Sequence, residues 1–409
     1  MQLWRKLHTP FIGFAVVLFI LLFVYYPAEG MKAAARGVEI WWDILFPALF
    51  PFFVISEVLL GFGIVHFWGT LLDPLMRPLF RVPGIGGFVM AMGFASGYPV
   101  GARLTSQLWD QRLIDRAEAE RLVAFTSTSD PIFLIGAVSV GFFHDPSVAL
   151  ILAVSHYGGA LLVGLLMRFY GPHSQADASH SQTKPFILYK ALQAMHRARL
   201  LDGRPLGILL KEAVQTSLRL IFVVGGLVVF FSSLLELLSI SHIMDAIYGM
   251  FHFIFRLFRI PDQLVQAFVN GLFEVTLGAK SAGTAGPDIP LIHKAAAAAF
   301  ILSWSGLSVH AQIVSLLTHT KFRYLPFVVA RFIHGLISVL LVLLLWIPLK
   351  PVLGRFSQAV PVFHSGSGLE MTWIGWSMFA AVPIFFVSLA LIPGIFGVYR
   401  LLRLLTKLL

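Results

Sequence analysis

The sequence contains no cysteine and few charged residues for its length. The absence of cysteine excludes disulfides, thiolate metal sites and cysteine nucleophiles. Charged residues make up 12% of the 409 positions, whereas a water-soluble domain usually carries about 25%. So few charges cannot coat the surface of a soluble protein of this size.

Long apolar runs occupy the positions where a soluble protein would carry charges. Hydrophobic residues make up 58% of the chain, and a helix needs roughly 20 of them in sequence to cross a bilayer. Four runs reach or approach that length: 11–26, 147–167, 221–240 and 327–347. Only one lies at the N-terminus, so a cleaved signal peptide does not explain the pattern. We therefore predict an all-α polytopic membrane protein in contact with the lipid bilayer.

The net charge of +10 is unevenly distributed. Basic residues concentrate at Arg5 and Lys6, in the 168–219 region and in the last ten positions. Such clusters are typical of the cytoplasmic segments of membrane proteins. We predict that both termini and the 171–216 loop are cytoplasmic, and we expect no nucleic acid as a partner.

Breaks in the apolar pattern predict the organisation of the chain. Trp and Pro crowd positions 41–51, and Pro47 and Pro51 should interrupt a regular helix there. A second break at 171–205 contains Gly, Pro, His, Ser, Gln and several basic residues. The predicted segments are an N-terminal span with a broken Trp/Pro-rich stretch (1–63), a first unit (64–170), a basic cytoplasmic loop with an amphipathic helix (171–219), a second unit (220–348), and a C-terminal link with a final span (349–409).

Two motifs recur in the two units at nearly one spacing. Val-Gly-Ala-Arg ends at Arg103 and Leu-Gly-Ala-Lys ends at Lys280, 177 positions later. The Ser/Thr-rich segment that begins at Phe125 has a loose counterpart at Phe300, 175 positions later. This spacing predicts a duplicated unit, an inverted repeat in which a Gly-rich re-entrant hairpin precedes an interrupted helix. An unsatisfied backbone group in hydrocarbon costs several kcal/mol, so matched interruptions in two halves indicate a transport site.

Acidic residues within apolar surroundings are the second indication of a site. An ionisable group at the centre of a bilayer costs at least about 2.5 kcal/mol, so Glu57, Asp130, Glu236 and Glu274 require a partner, a cavity or an interface. Asp130 and Glu274 lie inside the repeated units and are candidates for binding a coupling proton or sodium ion, or for holding a broken helix end.

The candidates for solute binding are small, polar or basic residues of the repeated units. They are Ser96, Gly97, Tyr98, Arg103, Ser127, Thr128, Ser129, Asn270, Glu274, Thr276, Lys280, Ser303 and Ser305. The alternative for Arg103 and Lys280 is that they mark a membrane boundary. No metal site is expected, because the histidines lack a compact ligand spacing. No cofactor or catalytic residue is expected either, since the sequence contains no His-Glu-x-x-His, P-loop or Rossmann fingerprint.

The two hairpin motifs resemble those of a known family. Residues 95–102 (Ala-Ser-Gly-Tyr-Pro-Val-Gly-Ala) and 273–279 (Phe-Glu-Val-Thr-Leu-Gly-Ala) resemble the YlbJ-type sporulation integral membrane proteins, within the nucleoside-recognition or Gate domain group. The resemblance extends over nearly the whole chain. It implies a carrier in the outer forespore membrane of a spore-forming bacterium, with dipicolinic acid as the cargo. It also implies a fold like that of concentrative nucleoside transporters, with the site between two re-entrant hairpins and two unwound helices.

One residue departs from the pattern of the group, and other functions stay open. Asp130 stands where an Asn-Pro sequence is usual, and a carboxylate would repel a dianionic cargo unless it is protonated or paired. The alternatives are a carrier for nucleosides or other small molecules, a membrane scaffold subunit that transports nothing, and an intramembrane serine protease with Ser96 and His156 as its reactive pair. We expect no enzymatic activity, and a homo-oligomer is an open alternative to a monomer.

Overall fold

The computed structural model describes residues 2–171 and 187–359, and this part of the chain is helical with no strand. The helices before residue 171 are α1 (Gln2–Tyr25), α2 (Pro27–Ile40), α3 (Phe46–Gly61), α4 (Ile64–Phe80), α5 (Ile85–Ser96), α6 (Tyr98–Asp110), α7 (Arg116–Thr126) and α8 (Val148–Met167). The helices after residue 187 are α9 (Ile187–Asp202), α10 (Leu206–Ile240), α11 (Asp245–Leu257), α12 (Val265–Phe273), α13 (Val275–Gly283), α14 (Leu291–Trp304), α15 (Gly306–Leu317) and α16 (Tyr324–Ala359). The final span predicted within 349–409 lies outside the described residues after position 359.

Several helices have the length and composition of membrane spans. Within residues 2–171 and 187–359, four stretches are long and apolar enough to cross a bilayer: α8, α10, the α14–α15 pair and the first 26 residues of α16. Three pairs of bent helices bring the number to as many as 7 when each pair is taken as one span. These helices confirm the prediction of an all-α polytopic membrane protein.

The Trp- and Pro-rich stretch is helical throughout, but it is not a regular α-helix. A π-helical turn (Trp41–Leu45) joins α2 to α3 without an interruption. Pro47 and Pro51 both lie in α3 within this continuous run of helix, and each removes one backbone N–H donor from it. Trp41 donates its indole N–H to the carbonyl of Ile221 at 3.0 Å, so it anchors α10.

The centre of the molecule is built from α8, α14 and α16, which pack against one another. Small residues make this close approach feasible. The segment Ala295–Ala299 of α14 is buried throughout, and a Cβ added to Gly159 of α8 would lie 2.7 Å from the hydroxyl of Ser338 on α16. Without a hydrophobic driving force between helices in lipid, such small residues increase the van der Waals contact.

The described structure contains the same succession of elements twice. A pair of packed helices (α5–α6 and α12–α13) is followed by a helix that ends inside the protein and restarts: α7 continues into a π-helical segment (Phe133–Phe142), and α14 continues into α15. Each hairpin also packs against the interrupted helix of the other half: α6 packs against α15, and α13 packs against the π-helical segment.

Each hairpin lies against the end of the helix that follows it. A Cβ on Gly101 would lie 2.7 Å from the carbonyl oxygen of Thr126, and one on Gly278 would lie 3.0 Å from the side chain of Ile301. The two contacts occupy corresponding places in the halves. Duplication of the unit stays a prediction that this correspondence supports.

An ion-pair network joins α7 to the start of α16 across the two halves. The carboxylate of Glu120 accepts hydrogen bonds from Arg323 at 2.9 Å and from the hydroxyl of Tyr170 at 2.6 Å. Burial pushes the pKa of Glu120 upward, but the bonds from Arg323, Tyr170 and Arg116 outweigh it and hold this pKa at about 2. The negative charge of Glu120 therefore stabilises the folded protein at neutral pH.

We expect this network to make stability fall in acid. An unfolded glutamate has a pKa of about 4.3, so the contribution is complete above that value and is lost as pH falls toward 2. Glu120→Gln should lower the free energy of unfolding by about 1–2 kcal/mol at pH 6 and should weaken the dependence on pH. Thermal unfolding in detergent from pH 6 to pH 3 tests this. Glu236→Gln, which breaks the exposed pair with Arg36, is the control and should change little; an equal loss in both variants would contradict the prediction.

Candidate functional site

The first hairpin turns at Gly97, between α5 and α6. Its backbone angles (φ 88°, ψ −177°) lie in a region that side chains strongly disfavour. Pro99 lies in the first turn of α6 and fits there because that position needs no N–H donor. The carboxylate of Asp130 lies directly above the turn, and a Cβ on Gly97 would be 3.2 Å from its Oδ2. Glycine at this position therefore leaves room for the acid.

Asp130 restarts the helix that stops at the end of α7. Residues 127–130 are buried and not helical, and the Oδ1 of Asp130 accepts the N–H of Phe133 at 2.8 Å. Pro131 follows as the first residue of the new helix. An aspartate cap followed by proline is a strong local signal for a helix N-terminus. The Asp-Pro sequence thus determines where the interruption ends.

Side chains satisfy the backbone groups that the interruption releases. The N–H of Ser129 donates to Nε2 of His156 at 2.9 Å, and its carbonyl accepts the hydroxyl of Tyr157 at 3.0 Å. The hydroxyl of Thr128 donates to the carbonyl of Gly93 at 3.3 Å. Because lipid offers no hydrogen bonds, non-helical backbone at this depth requires such partners from the protein.

The second hairpin turns at Glu274, which also caps a helix. Its Oε2 accepts the N–H of Leu277 in the first turn of α13 at 2.8 Å. The break between α14 and α15 lies against this turn. Gly306 opens α15 with a φ of 74°, and a Cβ added there would lie 3.0 Å from the backbone nitrogen of Glu274. Ser305, the residue before it, also has a left-handed backbone (φ 77°).

The two junctions use the same pair of residue types with the positions exchanged. In the first half the hairpin carries the glycine (Gly97) and the interrupted helix carries the acid (Asp130). In the second half the hairpin carries the acid (Glu274) and the interrupted helix carries the glycine (Gly306). Each glycine leaves the space that the facing acid and its backbone occupy, so each junction accommodates a single carboxylate.

Polar contacts connect the junctions across the halves. Tyr98, next to the first turn, donates its hydroxyl to the carbonyl of Leu302 on α14 at 2.7 Å. His156 contacts the hydroxyl of Ser303 through Nδ1 at 3.0 Å, and Ser303 donates to Ser338 on α16 at 2.8 Å. These contacts and the residues of the junctions form a buried polar cluster, the polar centre: Tyr98, Ser129, Asp130, His156, Ser303, Ser305 and Arg331.

The hydrogen bonds of His156 bear on the protease alternative. Its Nε2 accepts a backbone N–H, so in the neutral ring Nδ1 carries the proton and donates it to Ser303. Neither ring nitrogen retains a lone pair for a serine proton. Both nitrogens contact Ser129 and Ser303 rather than Ser96, which leaves the proposed pair of Ser96 and His156 without geometric support.

Arg331 of α16 is the positive charge of the polar centre. Its side chain is 0% exposed, and Nη2 donates to the hydroxyl of Ser305 at 3.1 Å. Nε and Nη1 have no hydrogen-bond partner among the described residues. The guanidinium also forms no ion pair with any carboxylate in that part of the chain. A buried charge without such a partner is costly.

The structure separates the predicted site residues into two groups. Gly97, Tyr98, Ser129, Asp130, Ser303 and Ser305 belong to the polar centre or to its turns, and Glu274 borders it through Gly306. Ser96, Ser127, Thr128 and Thr276 are buried in the helix ends beside it. Asn270 binds Ser281 within the second hairpin at 2.9 Å.

The two basic residues of the hairpins lie outside the polar centre. Arg103 is paired with Glu57 of α3, and Lys280 is exposed. Each lies six positions after its turn, at Gly97 and Glu274, which is about 9 Å further along a helix. The structure therefore favours the boundary interpretation of both residues over direct contact with a solute.

Arg331 was missed by the sequence reasoning, although a signal for it existed. It is a lone cation inside the apolar run 327–347, and the same energetic cost that drew attention to the acids applies to it. His334, one turn later, was missed as well; it contacts the carbonyl of His156 at 2.7 Å and so fastens α16 to α8. The sequence spacing does not show that His334 and His156 are neighbours in the fold.

Comparison with known proteins agrees with this architecture. The family described as Gate, nucleoside recognition, matches residues 43–160 and 221–320, which include both hairpins and both interruptions. The chain is therefore a polytopic integral membrane protein of the Gate family. It is also 41% identical over 379 residues to the sporulation integral membrane protein YlbJ of Bacillus subtilis (strain 168), covering 92% of both chains. The chain belongs to this YlbJ family of sporulation membrane proteins. No solved structure matches it.

Proposed function

We propose that the protein is a carrier for a small anionic solute, which it moves by alternating access at the polar centre. The observation that supports this most is the meeting of two interrupted helices and two hairpin turns inside a membrane protein. Interrupted helices at matching places in two halves are typical of secondary transporters. The inverted repeat and the likeness to concentrative nucleoside transporters are parts of the same proposal.

The uncapped helix starts at the two junctions favour an anion over a cation. Both α6 and α15 begin at the junctions without a side-chain cap. The first N–H groups of such helices carry partial positive charge and bind anions. The acids Asp130 and Glu274 direct their carboxylates at other helix starts, so each acid is partly neutralised by the N–H groups that it caps.

We propose dipicolinic acid as the cargo, and we propose that the protein carries it across the outer forespore membrane during sporulation. It is a planar aromatic dianion at neutral pH. Such a solute needs a cation, helix N-termini, hydroxyl groups and an aromatic wall, and the polar centre holds all four in Arg331, the starts of α6 and α15, Ser305 and Tyr98. The family description keeps a nucleoside as the second candidate.

A cavity of about 190 Å³ lies between α7, α15 and α16. Arg323 and Phe327 line it, and Arg331 lies one helical turn beyond Phe327 on the same face. The ring of His310 packs against Phe327 at 5.1 Å and contacts the carbonyl of Trp304 at 3.0 Å. We assign the cavity as the entrance on one side and these two rings as its inner wall.

Uptake into liposomes tests the proposal directly. We expect purified protein to move radiolabelled dipicolinate at least about tenfold faster than protein-free liposomes, and to move it faster than uridine. Liposomes carrying an unrelated polytopic membrane protein control for leakage. Uptake of uridine alone would show that the protein is a carrier but that dipicolinate is not its cargo. Movement of neither compound would contradict the transport proposal itself.

A further inference from the structure

We propose that Arg331, together with the start of α15, binds a carboxylate group of the solute. This inference rests on the carrier function proposed above and specifies its substrate class as organic carboxylates. The observation behind it is a fully buried guanidinium in contact with a helix N-terminus at the junction of the two halves.

The surroundings of Arg331 leave most of its hydrogen-bonding capacity available. One N–H group of Nη2 donates to Ser305, while Nε and Nη1 have no partner among residues 2–171 and 187–359. The acids of the two junctions do not pair with it, since Asp130 and Glu274 accept backbone N–H groups instead. A purely structural arginine at this depth would be expected to pair with a carboxylate or to donate to several carbonyls.

The second component of the site is the start of α15. Ser305, which accepts from Arg331, is the residue immediately before α15 and does not cap it with its side chain. The first N–H groups of α15 therefore lie beside the guanidinium, and both carry positive charge or partial positive charge. The hydroxyl of Tyr98, held on the carbonyl of Leu302, lies on the other side of the break.

The shape of the guanidinium selects the chemical class of ligand. Its planar fork matches the two oxygens of a carboxylate in a bidentate contact, whereas an uncharged amide or a nucleoside offers no second anionic oxygen. Of these three ligands, the carboxylate alone also removes the penalty of an uncompensated buried charge. A phosphate carries the same type of oxygen, so a phosphate compound is included among the competitors below.

Competition for binding tests the ligand class on the unmodified protein. Equilibrium binding of radiolabelled dipicolinate to purified protein would be measured against benzoate, benzamide and phenyl phosphate. We expect benzoate to compete at least about tenfold better than benzamide, because the two differ in charge and hardly in shape. Equal competition by benzoate and benzamide would overturn the proposal, and stronger competition by phenyl phosphate than by benzoate would replace the carboxylate by a phosphate.

Substitution of Arg331 tests the residue. Arg331→Gln should weaken dipicolinate binding by about 30-fold or more. The affinity of Arg331→Lys should lie between those of Arg331→Gln and the unmodified protein, because lysine keeps the charge but lacks the planar fork. Arg36→Gln, at an exposed ion pair, is the control and should bind normally. Unchanged affinity in a folded Arg331→Gln variant would overturn the assignment while leaving the carrier function intact.

Stability distinguishes a binding role from a structural one. Because Arg331 has no anionic partner among the residues that the structure describes, Arg331→Met should leave the thermal midpoint in detergent unchanged or raise it. A structural arginine would give a clear decrease. Dipicolinate should raise the midpoint of the unmodified protein and not that of Arg331→Met. If the unmodified protein transports dipicolinate and dipicolinate stabilises Arg331→Met as much as the unmodified protein, this inference fails alone; if the unmodified protein transports nothing, the proposed function fails with it.

Discussion

Replacing Gly306 with alanine is expected to abolish transport and to lower the yield of folded protein sharply. Gly306 has a φ of 74°, which costs an alanine about 1–2 kcal/mol. The added Cβ would also lie 3.0 Å from three backbone atoms of the second hairpin, at Phe273, Glu274 and Val275. Backbone atoms cannot yield as a flexible side chain would, and such overpacking costs a further ~1–3 kcal/mol.

The consequence for function follows from the position of these atoms. To admit the Cβ, the turn at Glu274 would move away from the start of α15, and the cap on Leu277 would shift with it. We therefore expect uptake to be lost even in the molecules that fold. Transport assays on the monodisperse fraction, together with its thermal midpoint, measure the two effects separately.

Gly226→Ala provides the matched control. Gly226 lies inside α10 with nothing within 4 Å of an added Cβ, and alanine is the better helix former by about 0.5–1 kcal/mol. This variant should fold and transport as the unmodified protein does. Normal uptake by Gly306→Ala would show that the close contact between the second hairpin and α15 is not required.

The sequence predicts the interruptions well because their signals are local. Glycine at positions 97 and 306, the Asp-Pro pair at 130–131 and the glutamate at 274 each act on the backbone within a few residues. The Trp/Pro-rich stretch shows the limit of the same reasoning. Pro47 and Pro51 each remove a backbone N–H donor, yet both lie in α3 and the chain stays helical there, with one π-helical turn before Pro47.

The composition of the site required tertiary information. Arg103 and Lys280 were chosen for their place next to the motifs, yet a helix carries them about 9 Å beyond the turns. Arg331 follows its partner Ser305 by 26 positions, and the contact exists because α14 and α16 pack side by side. Sequence spacing identifies a lone cation in an apolar run, but only the packing shows which helix end it meets.

Asp130→Asn is expected to keep the fold and to remove the coupling of transport to an ion gradient. Asparagine caps helices as well as aspartate does, so its side-chain oxygen should still accept the N–H of Phe133. Asp130→Ala should instead lose about 1–3 kcal/mol of stability, because it leaves a buried backbone donor without a partner. The comparison of the two variants therefore separates the cap from the charge.

Transport assays with and without a gradient measure the coupling. In Asp130→Asn we expect exchange of labelled dipicolinate across the membrane to continue, since the polar centre keeps its geometry, while accumulation driven by a proton or sodium gradient falls to the level without a gradient. Glu274→Gln retains an acceptor for Leu277 and offers the same test in the other half. If both amide variants still accumulate the solute, neither carboxylate carries the coupling ion, and each serves the helix start that it caps. If only one variant loses accumulation, the carboxylate of that half alone carries the coupling ion. The two halves are then similar in structure and different in function.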